Sequence, residues 1–145
     1  MSAAPSLPTD LQIVAVLVAY PSGEMTYVVK NRLRSDIGFR GLKTDWVRRC
    51  LQRLEREGYV ERVRPNYAGP ICWRATAAGR AAASLTDAQA AFLRRFVARE
   101  WLHAKREDRL EQEAVDVALR LGYLRRELDE VHFTFTGRWA LERRG

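Results

Sequence analysis

The sequence predicts a mainly α-helical chain with small β hairpins, an α+β fold. Three observations predict it. Apolar residues keep helical spacing through most of the chain, the period changes to alternation after Gly58, and short motifs recur in the same order in the second half. The chain has 145 residues, 47% hydrophobic and 30% charged, a globular rather than a disordered composition. This length suits one domain, or two small ones sharing a core, and excludes a large multidomain enzyme.

Residues 1–8 carry two prolines and read as a flexible tail. Thr9-Asp10-Leu11-Gln12 opens the first helix, because Thr9 and Gln12 have the spacing of a capping box. The run from Asp10 to Tyr20 is apolar nearly all round, so the helix is expected to be buried. Pro21-Ser22-Gly23 ends it. A second helix is expected from Thr26 to about Arg34, with Val28, Val29 and Leu33 inward and Lys30, Arg32 and Arg34 outward. Asp36 to Gly41 contains two glycines and reads as a turn. A third helix is expected from Thr44 to Glu57, where Val47, Cys50, Leu51 and Leu54 form one apolar stripe. Gly58 stops it. Tyr59 to Val63 alternates like a strand, Pro65 to Pro70 is rich in turn residues, and Ile71 to Thr76 reads as the returning strand.

The second half repeats this order in shortened form. Thr86-Asp87-Ala88-Gln89 matches Thr9 to Gln12 at an offset of 77, Gly122-Tyr123-Leu124 matches Gly58 to Val60 at 64, and Gly137-Arg138-Trp139-Ala140 matches Gly79 to Ala82 at 58. The shrinking offset removes 13 residues from the helical part and 6 from the hairpin, as if one helix were lost or merged. The alternative is one domain over residues 9–82 followed by dimerisation helices over residues 83–145.

Three helices and a two-stranded hairpin are the parts of a winged helix-turn-helix. The stretch Leu51-Gln52-Arg53-Leu54-Glu55-Arg56-Glu57-Gly58-Tyr59-Val60 runs into a hairpin that closes on Arg74-Ala75-Thr76-Ala77-Ala78-Gly79. These residues resemble the DNA-binding domain of MarR-like and PadR-like transcriptional regulators over residues 9–82, with Ala75 in place of the leucine usual before the closing threonine. The resemblance implies a winged helix, here in a tandem arrangement if the second half is a degenerate copy. It also implies a recognition helix starting at Thr44 whose first turns enter the major groove of double-stranded DNA.

On that helix the face opposite the apolar stripe carries Asp45, Arg49, Gln52 and Arg56, flanked by Arg48 and Arg53. Arginine makes forked bonds to guanine and glutamine pairs with adenine. Lys43 and Thr44 sit at the helix start, where free N–H groups favour a phosphate. Asp45 either accepts from cytosine or stabilises the helix N-terminus. Arg64, Asn66 and Tyr67 at the hairpin tip suit phosphate or minor-groove contact, or form an ordinary polar turn.

The corresponding helix of the second half, about Lys105 to Leu121, has Leu110, Ala114, Val117 and Leu121 as its expected core stripe. Its other face is acidic, which should keep it off DNA. Outward Val115 and Leu119 are expected either to form a partner surface, most simply in a homodimer, or to be covered by the same chain. The charge divides accordingly: the formal +7 falls as +6 on residues 1–82, with 13 basic and 7 acidic residues, and +1 on residues 83–145, with 12 and 11.

No catalytic set is expected. His103 and His132 lack neighbours at metal-ligand spacing, Cys50 lies on the apolar stripe, and no phosphate loop or nucleophile elbow is present, so neither metal nor cofactor is expected. Two cysteines make no disulfide framework, the apolar run Leu11 to Tyr20 is half a membrane span, and the start lacks a signal-peptide pattern. A cytoplasmic, nucleoid-associated location and no membrane partner follow as expectations. The sequence therefore favours a sequence-specific transcriptional regulator that represses by occluding a promoter. The alternative is a tandem winged-helix module for protein–protein contact, an adaptor or inhibitor of a nucleic-acid-handling complex.

Overall fold

A capping box starts the first helix, α1 (Asp10–Ala19): Thr9 Oγ1 accepts from the Gln12 N–H at 3.2 Å and Gln12 Oε1 accepts from the Thr9 N–H at 2.9 Å. The computed structural model describes residues 7–64 and 69–143. Most of the expected tail, residues 1–6, and the hairpin tip, residues 65–68, lie outside the described residues. After α1 come α2 (Thr26–Ile37), α3 (Thr44–Arg56), β1 (Val60–Val63), β2 (Cys72–Ala75) and α4 (Ala77–Ala82). The second half contains α5 (Asp87–Val97), β3 (Trp101–His103), α6 (Arg109–Leu121), β4 (Leu124–Glu127), β5 (Glu130–Phe133) and α7 (Phe135–Arg143). The chain is mainly helical, with two small antiparallel sheets, β1-β2 and β3-β5-β4.

Why α1 is apolar all round is now plain. Ile13 to Leu17 are all buried, because α1 packs against α2, α3, α4 and β2 on one side and against α6 and α7 on the other. The helix is the centre of one continuous core. The stripe Val47, Cys50, Leu51, Leu54 of α3 is buried as its spacing required, and each fully buried leucine contributes about 1.5–3 kcal/mol. At the end of α3, Gly58 adopts φ 89°, and the N–H of Tyr59 returns to the Leu54 carbonyl at 2.9 Å.

The two halves share their order of elements except for one helix. Val60 faces Ala75 in the first hairpin, and Leu124 faces Phe133, at the corresponding offsets, in the second. Each hairpin closes in the same way. The N–H of Thr76 donates to the Tyr59 carbonyl at 3.1 Å, and its hydroxyl donates to the Gly58 carbonyl at 2.6 Å and accepts from the Gly79 N–H at 3.2 Å. Thr134 makes the matching bonds to Tyr123 at 3.0 Å, Gly122 at 2.7 Å and Gly137 at 3.0 Å. Before α2, Glu24 forms a single bridge to Trp73; in the second half β3 occupies this place and pairs Leu102 with Val131. No helix stands between β3 and α6. The 12-residue α2 thus accounts for the main shortening of the second half.

Three expectations need correction. The turn from Asp36 to Gly41 begins later, because α2 continues through Ile37 and Gly38 caps it at φ 72°. Asp36 is kept helical and buried by a partner 100 residues away: it accepts from the backbone N–H of Thr136 at 3.2 Å and from the Thr136 hydroxyl, tying the end of α2 to the start of α7. Second, α6 starts at Arg109, with Asp108 as its cap, rather than at Lys105. Third, its core stripe is rotated. Ala114, Val115, Ala118 and Leu121 face inward, and Leu110 is 73% exposed. The rotation follows from α5 and α1 packing against α6, contacts that no periodicity within α6 records.

Candidate nucleic-acid interface

Helix α3 owes its position to its buried stripe, which leaves its N-terminal turns at the surface beside the β1-β2 hairpin. Lys43 is its N-cap and makes no side-chain capping bond, and Asp45 supplies the negative charge of the first turn. The structure divides the expected residues into two rows. Thr44, Arg48 and Gln52 follow one another at every fourth position and line a groove of about 280 Å³ between α3, the start of α2 and the hairpin. Arg62, Tyr27 and Ile71 complete this groove. Lys43, Asp45 and Arg49 border a second hollow of about 400 Å³ on the α2–α3 loop side, together with Arg40 and Trp46. Trp46 is half-buried and packs against the core.

The arginines differ in what already holds them. Arg48 reaches Asp45 at 2.6 Å, with the two side chains 45% and 82% exposed. So open a pair contributes little and can exchange for a phosphate or a base edge. Arg40, Lys43 and Arg49 enter no ion pair among the described residues. Arg53 is engaged elsewhere: its Nη1 and Nη2 donate to both carboxylate oxygens of Asp10 at 2.9 and 2.6 Å, and Nη1 also donates to Glu57 at 3.3 Å. This fork raises the Arg53 pKa further and holds the Asp10 carboxyl below its ordinary value. Arg53 thus pins α3 to the first turn of α1, and a ligand would have to displace two carboxylates to recruit it. Arg62 is held by Glu55 through bonds of 2.9 and 2.8 Å and lies over the Trp73 ring at 5.6 Å, fixing the hairpin against α3.

Arg64 is exposed at the end of the first strand, and Asn66 and Tyr67 lie outside the described residues. Cys50 is buried in the stripe, and burial pushes its thiol up, away from nucleophilic chemistry. Among the described residues no cluster of His, Cys, Asp or Glu could hold a metal, and no helix is long and apolar enough to cross a membrane.

The expected partner surface on α6 does not form. Val115 is 0% exposed, and Leu119 is half-buried against the core. Val115 is covered by its own chain and Leu119 is partly covered by it. Glu107 and Asp108 are exposed just before α6, and along it the exposed residues are Glu113 and Asp116 together with Arg109, Leu110 and Arg120.

Sequence reasoning missed Arg40 and Tyr27. Arg40 lies in a glycine-rich turn whose direction only the fold fixes. Tyr27, half-exposed at the start of α2, has a residue type that normally counts towards a core. No family model, curated protein or solved structure matches the chain.

Proposed function

We propose that the chain is a sequence-specific, double-stranded DNA-binding regulator of transcription, with residues 9–82 acting as a winged helix-turn-helix and repression arising from occlusion of a promoter. The observation that carries this reading is the row Thr44, Arg48, Gln52 on the outer face of α3, lining a groove next to a hairpin that carries Arg62 and Arg64. A major groove about 12 Å wide admits one helix. Arg48 then offers a fork to guanine, Gln52 pairs with adenine, and Arg40, Lys43 and Arg49 meet the backbone beside them. The acidic exposed face of α6 stays off the duplex. The protein–protein alternative loses Val115, which is buried, and keeps only the half-buried Leu119 of the pair on which it rested.

Selection from a randomised duplex library, followed by fluorescence anisotropy on the enriched site, tests the proposal. The double variant Arg48→Ala, Arg49→Ala should fold as the parent does and lose roughly 10- to 100-fold in affinity for that site, since one forked base contact contributes about 1–3 kcal/mol. Arg53→Ala should leave specific affinity within about twofold, because its guanidinium is already bound to Asp10. An undiminished affinity in the double variant would sink the proposal.

A further inference from the structure

The nearly neutral second half contains a segment dense in basic residues, bordered by acids in and just before α6: Glu107 and Asp108 follow it, and Arg95 shares a hollow with Glu111 and Glu113. Between residues 94 and 106 the chain carries five basic residues, Arg94, Arg95, Arg99, Lys105 and Arg106, against one acid, Glu100. Glu100 is taken up by Arg138 at 2.7 Å. Arg95, Arg99 and Arg106 converge on the aromatic rings at the C-terminal end of α5 and the strand that follows it, and Arg94 and Lys105 are exposed beside them in sequence. Arg95 lies over Phe92 and Phe96 at 5.8 and 5.6 Å, Arg106 over the same rings at 5.5 and 5.2 Å, and Arg99 over Phe96 and Trp101 at 4.9 and 4.4 Å.

The rings of Phe92 and Phe96 are roofed by guanidinium groups. A guanidinium stacked on a ring uses its face and keeps its N–H donors at the edge. Among the described residues Arg99 donates through its Nε to the Trp101 carbonyl at 2.8 Å, and Arg106 donates through Nε and Nη2 to Glu111 at 3.2 and 3.1 Å. Arg94, Arg95 and Lys105 enter no ion pair among the described residues, and all three are exposed.

We infer that this α5–β3 surface is a second nucleic-acid contact, one that grips the sugar-phosphate backbone of duplex DNA without reading its sequence. Several arginines held in fixed planes at one surface match a row of phosphate oxygens. A membrane surface fits less well, because interfacial binding inserts exposed aromatic or aliphatic side chains. Here Phe92 and Phe96 are buried beneath the charges. The choice of duplex DNA rests on the function proposed above, while the surface itself does not depend on α3.

The test measures binding of the full chain to a duplex of arbitrary sequence across a salt series. The variant Arg94→Gln, Arg95→Gln, Lys105→Gln should bind more weakly and show a salt exponent smaller by roughly 2 to 3, about 0.9 for each phosphate that is no longer neutralised. Its preference for the selected site over random duplex should be unchanged. The pair Arg94→Gln, Lys105→Gln leaves every stacked guanidinium in place and should show a proportionate, smaller effect if the triple variant folds poorly. Duplex binding by the two variants equal to that of the parent overturns the inference. So does binding of the parent to phosphatidylserine-rich vesicles but not to duplex, an outcome that also removes the proposed function. If the α3 double variant binds like the parent while the α5 variants lose affinity, the function assigned to α3 falls and this surface stands.

Discussion

Gly137→Ala should cost about 3 kcal/mol or more and lower the melting temperature by roughly 10 °C. A methyl group at this position would stand 2.7 Å from the Cα and 2.8 Å from the carbonyl carbon of Tyr123, closer than such atoms can approach, and would also meet the carbonyl oxygen. All three obstacles are backbone. They cannot swing aside, because Thr134 already bonds the Gly122 and Tyr123 carbonyls and the Gly137 N–H in one corner. Gly79→Ala meets the same corner in the first half, against the carbonyl of Tyr59, with Ala75 Cβ 3.3 Å away. Thermal unfolding followed by circular dichroism checks both. A change of under about 2 °C for Gly137→Ala would show that the corner yields, contrary to its hydrogen bonding.

Asp36→Ala should cost about 2 kcal/mol, because it leaves the buried N–H and hydroxyl of Thr136 without their acceptor. Asp36→Asn keeps an acceptor and should cost less. The two forms also separate by pH. Burial pushes the Asp36 carboxyl above its ordinary value, ahead of the lowering effect of its bonds to Thr136. The folded chain therefore holds this proton more tightly than the unfolded chain does. The contribution of Asp36 is largest below the unfolded carboxyl value of about 3.9 and declines as pH rises through the higher folded value. Asp10 runs the other way: Arg53 lowers its pKa, so its contribution is present above the unfolded value and is lost on acidification. Urea denaturation of the parent and Asp36→Asn at pH 4 and pH 7 isolates the first effect. The advantage of aspartate over asparagine should shrink at the higher pH, and an advantage that grows instead would contradict the burial argument.

What the sequence made readable was local. The capping boxes at Thr9 and Thr86 involve residues three apart, the stripe of α3 lies within one helix, and the glycines at 58 and 122 act on their own turns. What it hid was carried by distant partners. Arg53 reads as one more outward arginine until α1 brings Asp10 to it from 43 residues away. Val115 reads as an outward apolar residue until α5 and α1 pack against α6 and bury it. Strand β3 has three residues, too few for alternation to show, and the missing helix was visible only as a change in offset. For the candidate interface, the sequence supplied the residues but grouped Asp45, Arg49 and Gln52 as the face with Arg48 beside it, and the fold regrouped Thr44, Arg48 and Gln52 along one groove.

The all-round burial of α1 has a consequence for how such a chain can change over time. If the two halves descend from one ancestral copy, the first helix of the leading copy has become common property, packed by its own unit and by the trailing one. Neither half can now be returned to independence by cutting at residue 83, because either fragment would expose an apolar wall that the other covers. On such a descent the repetition would be irreversible: the trailing half could shed a helix and alter its surface charge, but could not be deleted.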